Sequence, residues 1–238
     1  MERIAVDKTP ARIAAMFDSI AQRYDFLNHL LSAGLDHRWR AAAIRAMQLP
    51  ADARVVDLCA GTGDFAIAAA NAASRAQVVG VDFAAAMLVI GRDKVRHAAL
   101  DQRVRLVRGD ALNIPVRNGW ADAATVGFGI RNVVDAGAAL RELARVIKPG
   151  GRLGILEFGE PVIPGIREIY NWYFRQVLPR LGRLVSHHES AYAYLPASVG
   201  SFPRPSTFGA MISSQGFVDV TAVPLTLGIV YLYIATRA

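Results

Sequence analysis

The sequence contains little cysteine and little lysine. Cys59 is the only cysteine, which excludes an intrachain disulfide and a thiolate zinc cluster, and we expect no metal site. All but three of the 27 basic residues are arginine, and they form no run of the kind that binds nucleic acid. Nucleic acid is therefore not an expected partner. The net charge of +7 fits contact with phosphate or anionic lipid, and it fits a compositional bias as well.

Hydrophobic segments long enough to span a membrane are also missing. The one long uncharged stretch, residues 220–236, is shorter than a bilayer-spanning helix and contains Pro224 and Gly228, which favours two strands and a turn. The first residues of the chain form no apolar signal segment. We therefore expect a cytoplasmic protein whose contact with the inner face of a membrane is peripheral at most.

The composition is that of a globular chain. Hydrophobic residues make up 53% and charged residues 20% of the 238 residues, which is enough to form one large core. We expect a single domain, and a homo-oligomer is compatible with the sequence. The mean hydropathy of +0.26 is high, which fits an apolar ligand as well as a core rich in alanine and valine.

The first 50 residues have the periodicity of helices. Apolar residues recur at three-and-four spacing up to Gly34, which predicts one long helix, and a second helix is predicted over about Arg38–Met47. The apolar positions of the first helix are Ile13, Met16, Phe17, Ile20, Tyr24, Leu27 and Leu31. Residues 1–50 are thus predicted to form an N-terminal helical cap.

From residue 54 onward, short apolar segments alternate with helical ones. The predicted strands are Arg54–Cys59, Gln77–Val81, Val104–Val107, Ala121–Phe128, Arg152–Phe158, Phe217–Pro224 and Gly228–Thr236. Helices are predicted over Asp64–Ala73 and about residues 84–98, 136–147 and 206–215, with a helix stop and turn at Lys148–Gly151. The expected fold is α/β: a Rossmann-like, seven-stranded, mostly parallel doubly wound sheet with an antiparallel C-terminal strand. Residues 161–205 interrupt the alternation and are predicted to be a helical insertion.

A glycine loop, Gly61–Gly63, follows the first strand. Asp82 lies 19 residues after it, at the end of the second strand, where a carboxylate accepts the ribose hydroxyls of an adenosine ligand. Such a loop fits a nicotinamide dinucleotide too, but Asp57 and Asp64 would repel a pyrophosphate and attract the ammonium and sulfonium groups of S-adenosylmethionine. The predicted cofactor is therefore S-adenosylmethionine, and its predicted contacts are Asp57, Gly61, Gly63 and Asp82.

Several of these acids also have a structural interpretation. Asp64 caps a helix equally well, and Asp57 is a residue type that organises loops. Asp110 ends the third strand, where it accepts a hydrogen bond from an adenine amino group or simply forms a turn. Asp82 is the acid whose position matches a specific role.

Several segments together resemble one family, the quinone-biosynthesis C-methyltransferases that act on demethylmenaquinol or a related polyprenyl benzoquinol. The resemblance covers nearly the whole chain, and its most specific parts are residues 127–133 and the aromatic segment from Tyr173 to Pro203. The other matching segments are Met16–Ala21, Arg23–Asn28, Asp57–Asp64 and Leu156–Phe158. The resemblance implies a class I methyltransferase fold and C-methylation of a polyprenyl quinol, demethylmenaquinol above all, in menaquinone or ubiquinone biosynthesis.

The resemblance also implies the residues of the site. The implied cofactor contacts are Thr62, Asp82, Asp110, Ala111 and Gly127, and family members often carry serine in place of this last glycine. Tyr24, Arg131 and Asn132 are implied to face the quinol. A hydroquinone carbon becomes nucleophilic when a phenolic proton is lost. Arg131 is therefore expected to stabilise the phenolate, Asn132 to orient it and Tyr24 to contact it.

These residues have alternatives that the sequence leaves open. The alternative for Arg131 is a salt bridge with Asp135 or Glu142. The alternative for Asn132 is a turn that follows a strand. No base is evident: the polar segment His187–Glu189 acting through water and an arginine-bound water are both open.

The predicted insertion and the function also have alternative interpretations. The apolar residues of the insertion from Ile166 to Leu178 recur at helical spacing with arginines between them. This pattern fits a lid over a polyprenyl chain that touches an anionic membrane, and it fits a core-facing helix with a solvated basic face equally well. Other functions that remain open are methylation of a small soluble phenol or a sterol, a nicotinamide-dependent oxidoreductase, and a binding module with an inactive site.

Overall fold

The structure, a computed structural model, describes residues 8–32, 34–159, 161, 163, 165, 167–168, 172 and 189–238. The helices in these ranges are α1 (Pro10–Leu31), α2 (Leu35–Met47), α3 (Asp64–Ala72), α4 (Ala85–His97), α5 (Ala136–Val146), α6 (Glu189–Ser201) and α7 (Pro205–Ser214). The strands are β1 (Arg54–Leu58), β2 (Gln77–Asp82), β3 (Val104–Arg108), β4 (Ala121–Gly127), β5 (Ile147–Phe158), β6 (Phe217–Leu225) and β7 (Val230–Arg237). Short 3-10 turns cover Ile130–Asn132 and Thr226–Gly228.

The strands form one seven-stranded sheet in the order β3-β2-β1-β4-β5-β7-β6. Strands β1 to β5 pair in parallel, whereas β7 runs antiparallel to both of its neighbours, β5 and β6. The predicted α/β fold, with a mostly parallel sheet and a reversed C-terminal strand, is confirmed. Because β1 and β4 are parallel neighbours on either side of the point where the strand order reverses, their carboxyl ends open a crevice there.

Helices cover both faces of the sheet. On one face, Trp39 and Met47 of α2, Phe65 of α3 and Leu88 of α4 pack in one core cluster. On the other, Leu140 of α5 and Phe208 of α7 belong to a second cluster. The central strands are therefore buried on both sides, which explains why they consist of continuous apolar runs rather than alternating ones.

Helix α1 lies across the carboxyl end of the sheet against α4. Oδ1 of Asp18 accepts a hydrogen bond at 2.8 Å from the N–H of Ala86, in the first turn of α4. Phe17 and Tyr24 pack beside this contact against Ala21 and Met87. The apolar face that the sequence shows in α1 therefore covers the end of the sheet where the glycine loop lies.

Two predicted boundaries are wrong. Helix α2 begins at Leu35, not at Arg38, because its first turn starts directly after Gly34, whose backbone is left-handed at φ 73°. The predicted turn at residues 148–151 belongs to β5: Ile147 pairs with Ala121 and Arg152 with Ala123, so that the segment between them bulges within the strand.

The predicted insertion is described only in part. Helix α6 lies within residues 161–205, but most residues of the predicted lid face, including Tyr173 and Phe174, lie outside the described ranges. Within the described ranges, no helix combines the length and the apolar composition that crossing a bilayer requires.

The packing of α4 against the glycine loop predicts that Gly91→Ala destabilises the fold. A Cβ atom at Gly91 would lie 2.6 Å from Cδ1 of Leu106 and 3.1 Å from the carbonyl group of Thr62. We expect the free energy of unfolding to fall by about 1–3 kcal/mol, although alanine is the better helix former. Urea denaturation measures this change.

Gly200→Ala is the matched control, because a Cβ atom at Gly200 of α6 would meet none of the described residues within 4 Å. Its free energy of unfolding should stay constant or rise by up to about 1 kcal/mol. Equal effects of the two substitutions would contradict the close packing at Gly91.

Candidate active site

A cavity opens at the carboxyl ends of β1, β2 and β4, beneath α1. Seven residues that the sequence assigns to the site line it: Tyr24, Gly61, Asp82, Asp110, Ala111, Gly127 and Asn132. Four others do not reach its wall: Asp57, Thr62, Gly63 and Arg131. The structure thus brings most of the predicted cofactor and substrate residues to one cavity, and it places the remainder directly behind the wall.

Asp82 connects the loop after β1 to the loop after β2 at the cavity wall. Its Oδ2 accepts a hydrogen bond from the N–H of Gly61 at 2.8 Å, and its Oδ1 accepts one from the N–H of Ala84 at 2.9 Å. Burial raises the pKa of this carboxyl group, and the backbone donors oppose that shift. Because each carboxylate oxygen has two lone pairs, both oxygens can accept a further hydrogen bond from a ligand.

The glycine loop adopts a backbone that requires small residues. Gly61 and Gly63 have φ values of 53° and 82°, and Cys59 before them is also left-handed at 56°. A Cβ atom at Gly129 would lie only 2.2 Å from Cβ of Cys59, so the loops after β1 and β4 touch. This close approach forms one wall of the cavity.

Asp57 lies beneath the loop and is 1% exposed. Its Oδ1 accepts a hydrogen bond from Oγ1 of Thr125 on the neighbouring strand β4 at 2.7 Å. Burial raises the pKa of Asp57 to about 7, which the hydrogen bond from Thr125 and the N–H of Ala66 counteract in part. The position is that of a residue that supports the loop from below, which is the alternative that the sequence left open.

Asp64 is an ion-pair partner and not a free anion. It pairs with Nζ of Lys94 and lies 3.5 Å from the guanidinium of Arg40. Lys94 also donates to Asp25 of α1 at 2.8 Å and to Thr62 at 3.1 Å. Because Lys94 also pairs with Asp25 and Arg40 also pairs with Asp36, these two cations face three carboxylates. The expectation that the charge of Asp64 disfavours a dinucleotide stays a prediction.

Thr62 turns away from the cavity. Its hydroxyl donates a hydrogen bond to Oδ1 of Asp25 at 2.6 Å, and the residue is 2% exposed. The side chain thus ties the glycine loop to α1. The cofactor contact implied for Thr62 stays a prediction, and in this geometry its backbone would have to provide it.

Arg131 forms a buried ion pair with Glu157 of β5. The distance from Nη1 of Arg131 to Oε1 of Glu157 is 2.6 Å, and Glu157 is fully buried. Nη1 also donates to the carbonyl of Phe128, and the guanidinium carbon lies 5.2 Å from the ring centroid of Phe158. Among the described residues, Nε of Arg131 has no hydrogen-bond partner. This donor is buried directly behind the cavity wall.

The salt-bridge partners that the sequence suggested for Arg131 are wrong. Asp135 caps α5 by accepting a hydrogen bond from the N–H of Ala138 at 2.9 Å. Glu142 pairs with Arg145, 2.7 Å away. Glu157 is 26 residues from Arg131 in sequence, and the parallel pairing of β4 with β5 brings the two together.

Asn132 and Tyr24 both line the cavity. Oδ1 of Asn132 accepts a hydrogen bond from the hydroxyl of Tyr194 in α6 at 3.0 Å, which fixes the orientation of the amide. Tyr24 projects from α1, and its ring meets that of Phe17 edge to face at 5.9 Å. Burial raises the pKa of Tyr24, so its phenol stays protonated and can donate a hydrogen bond.

Gly127 departs from the serine that the resemblance suggests, and its surroundings explain the glycine. A Cβ atom there would lie 2.9 Å from Cδ1 of Phe65. The ring of Phe65 therefore occupies space that a serine side chain would need.

Asp110 lies just after β3. It accepts a hydrogen bond from the N–H of Leu112 at 2.9 Å, which is the turn that the sequence offered as an alternative.

Three residues at the site were missed by the sequence analysis. Lys8 lines the cavity, and burial lowers its pKa while the charge of Glu157 opposes that shift. Glu157 and Tyr194 fix Arg131 and Asn132. Glu157 and Tyr194 lie in segments that carried the resemblance, which was a usable signal, whereas a lone lysine before the first helix offered none.

The raised pKa of Asp57 predicts how stability depends on pH. An exposed aspartate has a pKa of about 3.9, so between about pH 4 and pH 7 the folded chain keeps a proton that the unfolded chain has released. The contribution of Asp57 to stability is therefore lost as the pH rises through this window. Asp57→Asn removes the titration, and its free energy of unfolding should fall less steeply with rising pH than that of the wild type.

Urea denaturation at several pH values measures the slope of the free energy of unfolding against pH for each variant. Asp101→Asn, at an exposed acid in a turn, is the control and should follow the wild type. A slope for Asp57→Asn that equals the wild-type slope would rule out titration of Asp57 in this range.

The sequence profile of the ubiE/COQ5 methyltransferase family matches residues 5–237. The chain is 44% identical to the ubiquinone/menaquinone biosynthesis C-methyltransferase UbiE of Geobacter sp. (strain M21), over 98% of this chain and 99% of that protein. It is 45% identical to the demethylmenaquinone methyltransferase of Thermus thermophilus, over 93% of this chain and 100% of the relative.

Solved structures share the fold at low sequence identity. A SAM-dependent methyltransferase from Thermotoga maritima superposes with a TM-score of 0.66 at 18% identity, covering 95% of this chain and 100% of that one. A SAM-dependent methyltransferase from Aquifex aeolicus gives a TM-score of 0.61 at 17% identity, covering 84% and 89%. The class I methyltransferase fold is therefore confirmed, and with the match over almost its whole length the chain belongs to the ubiE/COQ5 methyltransferase family.

Proposed function

We propose that this methyltransferase transfers a methyl group from S-adenosylmethionine to a ring carbon of a polyprenyl quinol. Demethylmenaquinol is the proposed main substrate, in the biosynthesis of menaquinone or ubiquinone. The observation that carries the proposal is a single cavity whose wall contains Asp82, Tyr24 and Asn132. The relatives at 44% and 45% identity are named as quinone-biosynthesis methyltransferases, which supports the same substrate class.

The residues present fit the cofactor. Asp82 has free lone pairs for two ribose hydroxyls, and the apolar side chains of Val81, Met87 and Leu112 flank it in the wall, where an adenine ring would pack. The contacts that we propose are those of Asp82, Gly61, Asp110, Ala111 and Gly127. When bound, S-adenosylmethionine supplies an electrophilic methyl group on a sulfonium sulfur.

Asn132 in the cavity wall and Arg131 directly behind it would fit a phenolate. Nε of Arg131 is a buried donor without a partner among the described residues, and the amide of Asn132 is held in place by Tyr194. Both groups are fixed before a ligand arrives, so their dipoles cost little reorganisation when negative charge develops on the ring oxygen. We propose that Arg131 stabilises this charge and that Asn132 and Tyr24 orient the ring.

Lys8 is the group on this wall that we propose as the proton acceptor. Burial lowers the pKa of its amine, which increases the share of the neutral base near neutral pH. Lys8 also lines the cavity together with Tyr24 and Asn132. Loss of the phenolic proton to this amine would make the ring carbon nucleophilic.

We further propose that the protein contacts a membrane surface peripherally, because a polyprenyl chain keeps the quinol in the bilayer. Two apolar residues of the insertion support this: the side chain of Trp172 is 60% exposed and that of Ile163 43% exposed. Exposed tryptophan is typical of membrane–water interfaces. The lid over the prenyl chain remains part of this proposal.

The substrate proposal predicts methyl transfer to quinols and not to small phenols. The full chain is incubated with methyl-labelled S-adenosylmethionine and with reduced demethylmenaquinone, reduced demethylated benzoquinone carrying a prenyl chain, or a soluble naphthol. We expect label in the first product, measured by chromatography, and much less in the naphthol. Equal labelling of the naphthol would favour a small soluble substrate and refute this proposal.

The roles proposed for Asp82 and Asn132 predict two different defects, one in cofactor binding and one in turnover. Asp82→Ala should weaken the binding of S-adenosylhomocysteine by more than about 1 kcal/mol, which is about fivefold in Kd, because a charged acceptor for two hydroxyls is lost. Asn132→Ala should leave that Kd unchanged and lower kcat. Calorimetry and turnover separate the two effects, and NAD should not bind.

Asp93→Ala, at an exposed acid of α4, is the control for charge alone. It should change neither the Kd nor kcat. Tight binding of S-adenosylhomocysteine by Asp82→Ala would remove this residue from the cofactor site.

A further inference from the structure

A cluster of metal-ligand side chains lies where α1 passes into α2, outside the cavity. His29 comes from the last turns of α1, and Asp36 and His37 come from the first turn of α2. Gly34, with its left-handed backbone, reverses the chain between them. Ligand atoms of the three side chains, one from each, lie within 4.8 Å of one another.

The two imidazole rings meet through their ring nitrogens. Nε2 of His37 lies 2.9 Å from Nε2 of His29, and the rings stand at 71° to each other. Two nitrogen lone pairs at this distance repel unless a proton or a cation lies between them, and two N–H groups would clash. In the structure, an N–H of one ring that donates to the nitrogen of the other satisfies this contact, and a metal ion shared by two lone pairs would replace that hydrogen bond.

The carboxylate of Asp36 lies close to the other nitrogen of the His29 ring, without a hydrogen bond to it. Its Oδ2 lies 3.2 Å from Nδ1 of His29, which is buried and has no hydrogen-bond partner among the described residues. The carboxylate is itself fixed by Arg40 at 2.6 Å and by the hydroxyl of Ser32 at 2.9 Å. A metal-binding histidine with a carboxylate at its second nitrogen is a recurrent arrangement, because the carboxylate orients the ring and raises its basicity.

The cluster is also accessible. The side chain of His29 is 39% exposed and His37 is exposed, so water can reach the ion and complete its coordination. A tetrahedral Zn²⁺ with Zn–N bonds of about 2.0 Å holds two nitrogens about 3.3 Å apart. The rings therefore need to separate by only about 0.4 Å from their present distance.

We propose that His29 and His37 bind a divalent transition-metal ion of the imidazole-preferring group, such as Zn²⁺, with Asp36 as the positioning partner of His29. The site connects α1, which carries Tyr24 and Asp25, to α2, which carries Arg40. Occupancy by the metal therefore fastens the two helices of the N-terminal cap to each other. The site is separate from the proposed transfer reaction and does not depend on it.

Calorimetric titration of the untagged, metal-stripped full chain with Zn²⁺ tests this proposal. We expect one equivalent to bind, and either His37→Ala or His29→Ala to raise the Kd roughly tenfold or more. Asp36→Asn should weaken binding as well, by roughly tenfold. Because His37 is exposed, His37→Ala keeps the test valid even where a substitution at His29 impairs folding, which circular dichroism reports.

Two control variants assign the site. His97→Ala, at a histidine on α4, and the double variant His187→Ala/His188→Ala should bind Zn²⁺ like the wild type. The visible spectrum of the Co²⁺-loaded chain should change in His37→Ala and stay the same in both controls. Absence of Zn²⁺ binding to the wild type, wild-type affinity in His37→Ala, or loss of binding in the double variant would each overturn the proposal.

Discussion

The carboxylate of Asp82 holds together the part of the molecule on which the cavity depends. With one oxygen it accepts the N–H of Gly61 and with the other the N–H of Ala84, so it links the loop after β1 to the start of α4. Ala86, in the first turn of α4, donates to Asp18 and so positions α1 over the sheet. A single acid at a strand end therefore determines both the shape of the cofactor loop and the place of Tyr24.

Charge pairing links the cap to the glycine loop a second time. Lys94 of α4 contacts Asp25 of α1, Thr62 of the loop and Asp64 of α3. Because these groups are partly buried and share one cation, a movement of α1 changes the surroundings of the loop. Helix α1 is thus electrostatically connected to the glycine loop.

Much of the fold could be predicted because the information is local. The apolar strands, the glycine turn and the position of Asp82 each follow from a few neighbouring residues. The short link Leu225–Leu227 likewise predicted the antiparallel pairing of β6 with β7. The boundaries that failed lie where local signals mislead. A Pro-Gly-Gly segment predicts a turn, yet cross-strand pairing on both sides of it keeps the segment within β5.

The partners of the site residues were harder to predict, because they are determined by tertiary packing. Arg131 pairs with Glu157 across two strands, and Thr62 donates to Asp25 in a helix 37 residues earlier. Neither separation has a signature in sequence spacing. The resemblance placed Arg131 and Asn132 near the quinol, but it could not show that a buried carboxylate balances one and a tyrosine holds the other.

The central claim is that one cavity holds the methyl donor and the quinol ring side by side. A crystal structure of the full chain with S-adenosylhomocysteine and a short-chain quinol analogue tests it most directly. The account predicts the ribose hydroxyls on Asp82, and the ring between Tyr24 and Asn132 with an oxygen facing Arg131. A ring bound outside this cavity, or a ribose that leaves Asp82 without contact, would contradict it.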